Sequence, residues 1–117
     1  MPISWLDHKG KKILFIDMKG ATDDELIAIV EEQKKIIDEV SKPVLLLNDF
    51  TDTYVSKEYM DKAKEYGKKQ KPKIKKTALI GIVGMKKILV WAYIKFSSND
   101  NTQMFDNIEE AKEYLVK

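Results

Sequence analysis

Few side chains in this sequence are suited to covalent or metal chemistry. Cysteine is absent and His8 is the only histidine, so disulfides, thiolate metal sites, cysteine nucleophiles and histidine clusters are all excluded. Asp17 and Asp49 fall near the ends of expected strands, but acid/base work needs two groups at a defined separation, which spacing along a chain does not supply. His8 lies in an expected hairpin turn and reads as a solvated side chain. The sequence contains no phosphate-binding glycine loop, dinucleotide fingerprint, nucleophile elbow or metal-spaced set of acids. These observations point to a non-enzymatic protein with no cofactor and no metal.

Two other groups of residues could recognise something. The first is the polar stretch NDFTDTYVS, in which Asp49, Thr51, Asp52, Thr53 and Ser56 follow an expected central strand. In α/β sheets, ligands favour the carboxyl edge of the strands. Such a loop can hold a polar group or accept phosphate, and turn-forming Asp with a helix-capping Ser accounts for the same residues without a ligand. The second is the run ALIGIVGMKKILVWAYIKF, residues 78–96, which is about as long as a membrane span. Lys86 and Lys87 sit near its middle and Gly84 interrupts it. Each lysine would cost about 2.5–3.5 kcal/mol at the centre of a spanning helix, so the run divides into a strand and a helix.

These groups need a frame. The chain has 117 residues, 44% hydrophobic and 34% charged, with 5 Gly and 3 Pro, the composition and length of one folded domain spanning residues 1–117. Ile3–Asp7 and Lys12–Met18 read as a hairpin around Gly10. Thr22 and Glu25 form a capping box ahead of a helix over Asp23–Val40, with Leu26, Ile29, Val30, Ile36, Ile37 and Val40 as its apolar stripe. Pro43–Leu47 has no polar alternation and reads as a central strand. Ser56 caps a second helix to Lys69, ended by Gly67 and the Lys-Pro-Lys segment at Pro72. Thr77–Val83 is a second buried strand, and Gly84 turns the chain into a third helix over Met85–Ser97. Gln103–Phe105 and a capped helix from Asp106 through Leu115 close the order. The fold class is therefore α/β, ββαβαβαβα, with a mostly parallel sheet and covering helices.

The third helix is unusually apolar. Met85, Ile88, Leu89, Ala92 and Phe96 make one stripe that can cover the sheet, which leaves Val90, Trp91 and Ile94 on the other side beside Lys86 and Lys87. A surplus apolar face flanked by lysines suits an anionic lipid surface, a lipid-like ligand, or a protein partner, including a second copy of the chain.

Charge is uneven as well. Residues 1–60 carry 8 Lys against 12 acids, whereas residues 61–117 carry 13 Lys against 7, and arginine is absent. Without guanidinium groups, bidentate readout of guanine is missing, so specific nucleic-acid binding is not expected. The basic stretch Lys64–Lys76 reads as a solvated helix end. Its single Tyr66 is too little aromatic surface for a single-stranded nucleic-acid groove. No secretory signal is visible at the N-terminus, which points to a cytoplasmic protein.

The stretches PVLLLNDF, KKTALIGIVGMKKIL and MFDNIEEAKEYL resemble the SpoIIAA-like branch of the STAS superfamily, small bacterial proteins grouped with CRAL-TRIO-type lipid-binding domains. The resemblance spans nearly the whole chain. It implies a STAS-like domain without a known reaction, associated with lipid-like ligands or the inner membrane surface. Other STAS proteins are anti-sigma factor antagonists switched by phosphorylation in a D-S-S/T-G loop. The matching region here runs from Asp49 to Ser56 without a Ser-Ser pair or a Gly, leaving Thr53 and Ser56 as the alternative acceptors.

Overall fold

The computed structural model describes residues 2–84, 87, 88, 90, 91, 94 and 101–117. A five-stranded sheet runs in the order β1-β2-β3-β4-β5. Strand β1 (Ile3–His8) pairs antiparallel with β2 (Lys11–Asp17), while β3 (Val44–Asp49), β4 (Ile74–Ile80) and β5 (Thr102–Phe105) continue from β2 in parallel. The expected mostly parallel sheet is therefore present, and the strand expected over Pro43–Leu47 runs from Val44 to Asp49 in its middle.

The hairpin turn is Lys9-Gly10, with φ of 49° and 81°. Two positive φ values in a two-residue loop define the turn whose twist suits a hairpin. Helix α1 (Asp23–Glu39) begins with the expected box, since Thr22 accepts from the Glu25 amide and the Glu25 carboxylate accepts from the Thr22 amide. Helix α2 (Lys57–Lys69) starts at Ser56, whose Oγ accepts from Tyr59 N at 3.1 Å. Helix α3 (Ile108–Val116) starts one residue later than expected. Asn107 is the cap, exchanging bonds with Glu110, because its carboxamide both accepts from the Glu110 amide and donates to its side chain.

Three further boundaries differ from expectation. Gly67 lies inside α2 rather than ending it; Gln70 closes the helix with a backbone bond to Tyr66 O at 2.8 Å. The Lys-Pro-Lys segment is a 3-10 turn over Lys71–Lys73 that feeds directly into β4, so β4 starts three residues early. Strand β4 also stops at Ile80 instead of Val83. Gly81 has φ 81°, and a Cβ there would lie 2.4 Å from both the Thr51 amide nitrogen and its Oγ1. The residue must be glycine so that the loop after β3 can cross close to the end of β4. Phe50 N–H donates to Ile80 O at 2.8 Å in the same crossing.

Each parallel connection moves one strand in the same direction, and right-handed crossovers of that kind leave their connecting segments on one face of the sheet. The packing follows. Leu26, Ile29, Val30 and Ile37 of α1, Tyr59 of α2 and Val90 share a core with Leu14, Ile16, Val44, Leu46 and Leu79. The alternate residues Ile13, Leu45, Leu47, Ala78 and Ile80 point the other way, where Ala111 and Leu115 of α3 cover them. Lys76 fastens α3 by donating to Tyr114 O at 3.0 Å and Lys117 O at 3.2 Å, a cation at the carbonyl end of the helix. No helix among the described residues is long and apolar enough to cross a membrane.

Candidate functional site: a cavity under the crossover helices

A cavity of about 270 Å³ lies between the face of the sheet formed by β3, β4 and β5, the helices α1 and α2, and residues Val90 and Ile94. Strand alternation creates its floor. Leu46 and Asn48 of β3 project to the same face as Thr77 and Leu79 of β4, since Leu46 is in register with Thr77 and Asn48 with Leu79. Phe50, Met60, Ile82 and Val90 add apolar walls, and the exposed residues Lys71 and Asn101 mark where the cavity meets solvent.

Two polar groups in it have unusual surroundings. Asn48 is 7% exposed on the central strand, and its Oδ1 has no hydrogen-bond partner among the described residues. The same holds for Gln33 Oε1 on α1. Buried acceptors are nearly always paired, because an unpaired one loses its hydration for nothing. Both residues line the cavity.

The α1–α2 side of the cavity is held by a polar network. Tyr66 donates to the Glu31 carboxylate, which Lys62 also reaches at 3.2 Å. The Tyr66 hydrogen bond, then Lys62, hold the Glu31 carboxyl below its ordinary range, and the same bond pushes the Tyr66 hydroxyl up. Lys34 binds Asp38 at 2.8 Å and lies 5.6 Å from the Tyr66 ring centre. Its ammonium is pushed up chiefly by that Asp38 contact, which also lowers Asp38. The buried Gln70 joins the two helices by donating to Lys34 O at 2.9 Å and Asp38 Oδ1 at 2.8 Å.

The residues singled out in the sequence occupy different places. Residues 87, 88, 90, 91 and 94 are helical, in keeping with a helix after Gly84; Trp91 is exposed as expected, while Val90, Ile94 and Ile88 differ from expectation. Val90, expected on the outer face, is 7% exposed and packs in the core with Ile94 beside it, while Ile88, expected on the sheet, is 66% exposed. The reason is geometric: Val90 and Ile94 are one turn apart and line the same cavity as Leu79 and Ile82, and Ile88, two residues from Val90, is on the opposite side of the helix. Trp91 is 54% exposed, and Lys87 pairs with Asp106 at 3.8 Å. Lys86, Met85, Leu89, Ala92 and Phe96 lie outside the described residues.

In the loop after β3, Asp49 Oδ1 accepts from Thr51 N at 2.9 Å and Thr51 Oγ1 at 2.6 Å. Thr53 is buried, and its hydroxyl donates to Met18 O at 2.5 Å. A phosphate there would displace that bond, so of the two acceptors only the half-buried Ser56 stays accessible without rearrangement. Asp17 stands in register with Asp49, yet neither lines the cavity. His8, expected to be solvated, instead meets Glu113 Oε2 of α3 at 2.7 Å, with Lys9 on the other oxygen at 2.6 Å. No group of three acidic or histidine side chains able to hold a metal occurs among the described residues.

Sequence reasoning did not single out Asn48, Gln33 or Gln70. The signal was available for two of them: Asn48 has the parity of Leu46 on a strand buried on both faces, and Gln33 interrupts the α1 stripe between Val30 and Ile37. A polar residue at a core position is the more informative kind of exception.

Fold and site together define an α/β sheet domain with a mostly apolar cavity beneath its crossover helices, open to solvent at Lys71 and Asn101. No protein-family model, curated protein or solved structure matches the chain.

Proposed function

We propose that the protein is a STAS-like binding domain that holds a small lipid-like or otherwise apolar ligand in the cavity between the sheet, α1, α2 and Val90 and Ile94. The carrying observation is a mostly apolar space of about 270 Å³ between the sheet and the helices. Natural cores are filled to near-crystal density, and voids of this size are few unless they serve a ligand. The strand order and direction, with three parallel connections on one face, suit the STAS-like arrangement. Such a domain has a binding role and no reaction of its own.

Fluorescence of 1-naphthylamine, a neutral probe small enough for a space of about 270 Å³, tests the proposal. The wild type should enhance it saturably, and Ala63→Phe, which fills the cavity from α2, should abolish the enhancement while leaving the circular dichroism spectrum unchanged. Equal enhancement by the two folded proteins would sink the proposal.

A second reading has its own support. Val83, Ile88 and Trp91 are exposed apolar side chains close together in sequence, with Lys87 beside them. That combination suits peripheral attachment to an anionic membrane, with Trp91 in the headgroup region.

A further inference from the structure

We infer that β1 is a self-association edge, pairing antiparallel with β1 of a second copy of the chain about a two-fold axis at Leu6. The two five-stranded sheets then become one continuous sheet.

Backbone geometry shows which groups lie open. Strand β1 is the outer strand, with β2 on one side only. Asp17 N–H donates to Pro2 O at 2.7 Å, so Pro2 turns its carbonyl toward β2. In an antiparallel pair that orientation alternates: Ser4, Leu6 and His8 also face β2, and Ile3, Trp5 and Asp7 direct both N–H and C=O to the free edge. Ile3 is only 7% exposed, whereas Trp5 is 46% exposed and the Asp7 side chain 76%. The accessible part of the edge is therefore Trp5 to Asp7.

This edge is also unusually bare. Natural edge strands are commonly shielded by lysine, proline, a bulge or a covering segment. The chain has 21 lysines, yet none lies in Ile3–His8, which holds no proline either. Its register with β2 runs unbroken from Ile3 to His8, unlike that of β3 with β4, which shifts between Val44 and Leu45.

The spacing of the open residues selects the occupant. Trp5 and Asp7 are two apart, so a second β1 satisfies both by setting Trp5 of each copy against Asp7 of the other. Each of these pairs exchanges N–H···O bonds in both directions. The same register places an indole N–H, which only donates, beside a carboxylate, which only accepts. It opposes no two like charges, since Asp7 is the one acid of the strand and Lys12 accompanies it at 3.5 Å within its own chain. A strand of unrelated sequence would meet the backbone groups and not the Trp5–Asp7 match. Such a two-fold contact closes on itself and ends at the dimer. One strand edge is small beside the roughly 1,200–2,000 Å² of stable complexes, so the dimer should be weak, with a Kd on the order of 10 μM.

Sedimentation equilibrium of the full chain between about 1 and 200 μM, which brackets that Kd, should give a mean mass rising from 13.6 kDa toward twice that value. Trp5→Lys, at an exposed position, should stay at the monomer mass throughout with an unchanged circular dichroism spectrum. The chain has no cysteine, so Leu6→Cys can form a disulfide only with a second copy. The two Leu6 positions meet on the axis at a Cα separation of about 4.5 Å, within reach of that bond. Mild oxidation should therefore give several times more covalent dimer from Leu6→Cys than from Lys57→Cys, at the exposed start of α2. Monomer mass across the whole range in the wild type, a dimer that Trp5→Lys leaves intact, or equal cross-linking of the two cysteine variants would each overturn the inference. Should Trp5→Lys fail to fold, the wild-type mass and the cross-linking comparison decide between them.

Discussion

Replacing Asn48 with leucine should make the ligand-free protein more stable. Asn48 is on the central strand, in register with Ile16 on one side and Leu79 on the other, and its oxygen lacks a partner among the described residues. An unsatisfied buried polar group costs about 1–3 kcal/mol, and a leucine, which is larger but has the adjoining cavity to expand into, removes that cost while adding apolar contact. Taking a gain of about 2 kcal/mol, and an unfolding entropy of about 2.1 cal/mol/K per residue over 117 residues, Tm should rise by about 8 °C. The measurement is differential scanning calorimetry on both proteins after refolding from denaturant, so that no carried-over ligand raises the wild-type Tm by mass action. A fall in Tm of more than about 4 °C would refute the reasoning, because it would mean that the Asn48 oxygen is satisfied in the ligand-free state.

Other outcomes follow from the same geometry. Gly81→Ala should destabilise by about 3 kcal/mol, combining left-handed backbone strain with overlap on Thr51, whereas Gly84→Ala, with φ 65° and open space around it, should cost about 1 kcal/mol; equal urea midpoints would show that Thr51 moves aside freely. Because the Glu31 carboxyl is held low in the folded state, principally by Tyr66, its contribution is fully present above the unfolded value near 4.5 and is lost as pH falls through the folded value. Glu31→Gln should therefore flatten the acid limb of stability below about pH 4.5, as read by urea midpoints between pH 3 and 6, and an unchanged limb would remove Glu31 from the account. In flotation with phosphatidylserine vesicles, Trp91→Asp should reduce recovery in the lipid fraction severalfold; equal recovery would exclude this surface as a membrane contact.

Much of the fold was legible because its signals are local. The Thr22–Glu25 box and the Ser56 cap are complete within four residues, and the apolar run of β3 announces a strand covered on both faces. What was not legible depends on distant segments. Gly81 reads as strand interior until Thr51 is brought beside it, and nothing within the Lys-Pro-Lys segment shows that Gln70 tethers α2 to α1. Val90, Ile94 and Ile88 of the third helix were misassigned for a related reason, whereas Trp91 is outward as expected. In a helix apolar on nearly every side, periodicity cannot choose an orientation, and the choice falls to the packing of the core that Val90 and Ile94 join. The cavity was the least accessible feature, because a void is a property of packing and only its polar occupants, Asn48 and Gln33, leave a trace in the chain.

The order of the strands across the sheet bears on how the molecule is made. Every strand pairs with the one synthesised just before it, so a growing sheet can lengthen one edge at a time without waiting for remote partners. The opposite surface has no such arrangement. Ile13, Leu45, Leu47, Ala78 and Ile80 must wait for Ala111 and Leu115, and during synthesis they form an uncovered greasy plane on a nearly finished sheet. At several residues per second, that interval lasts seconds. A fragment ending before Ile108 would leave that plane uncovered and be primed to aggregate.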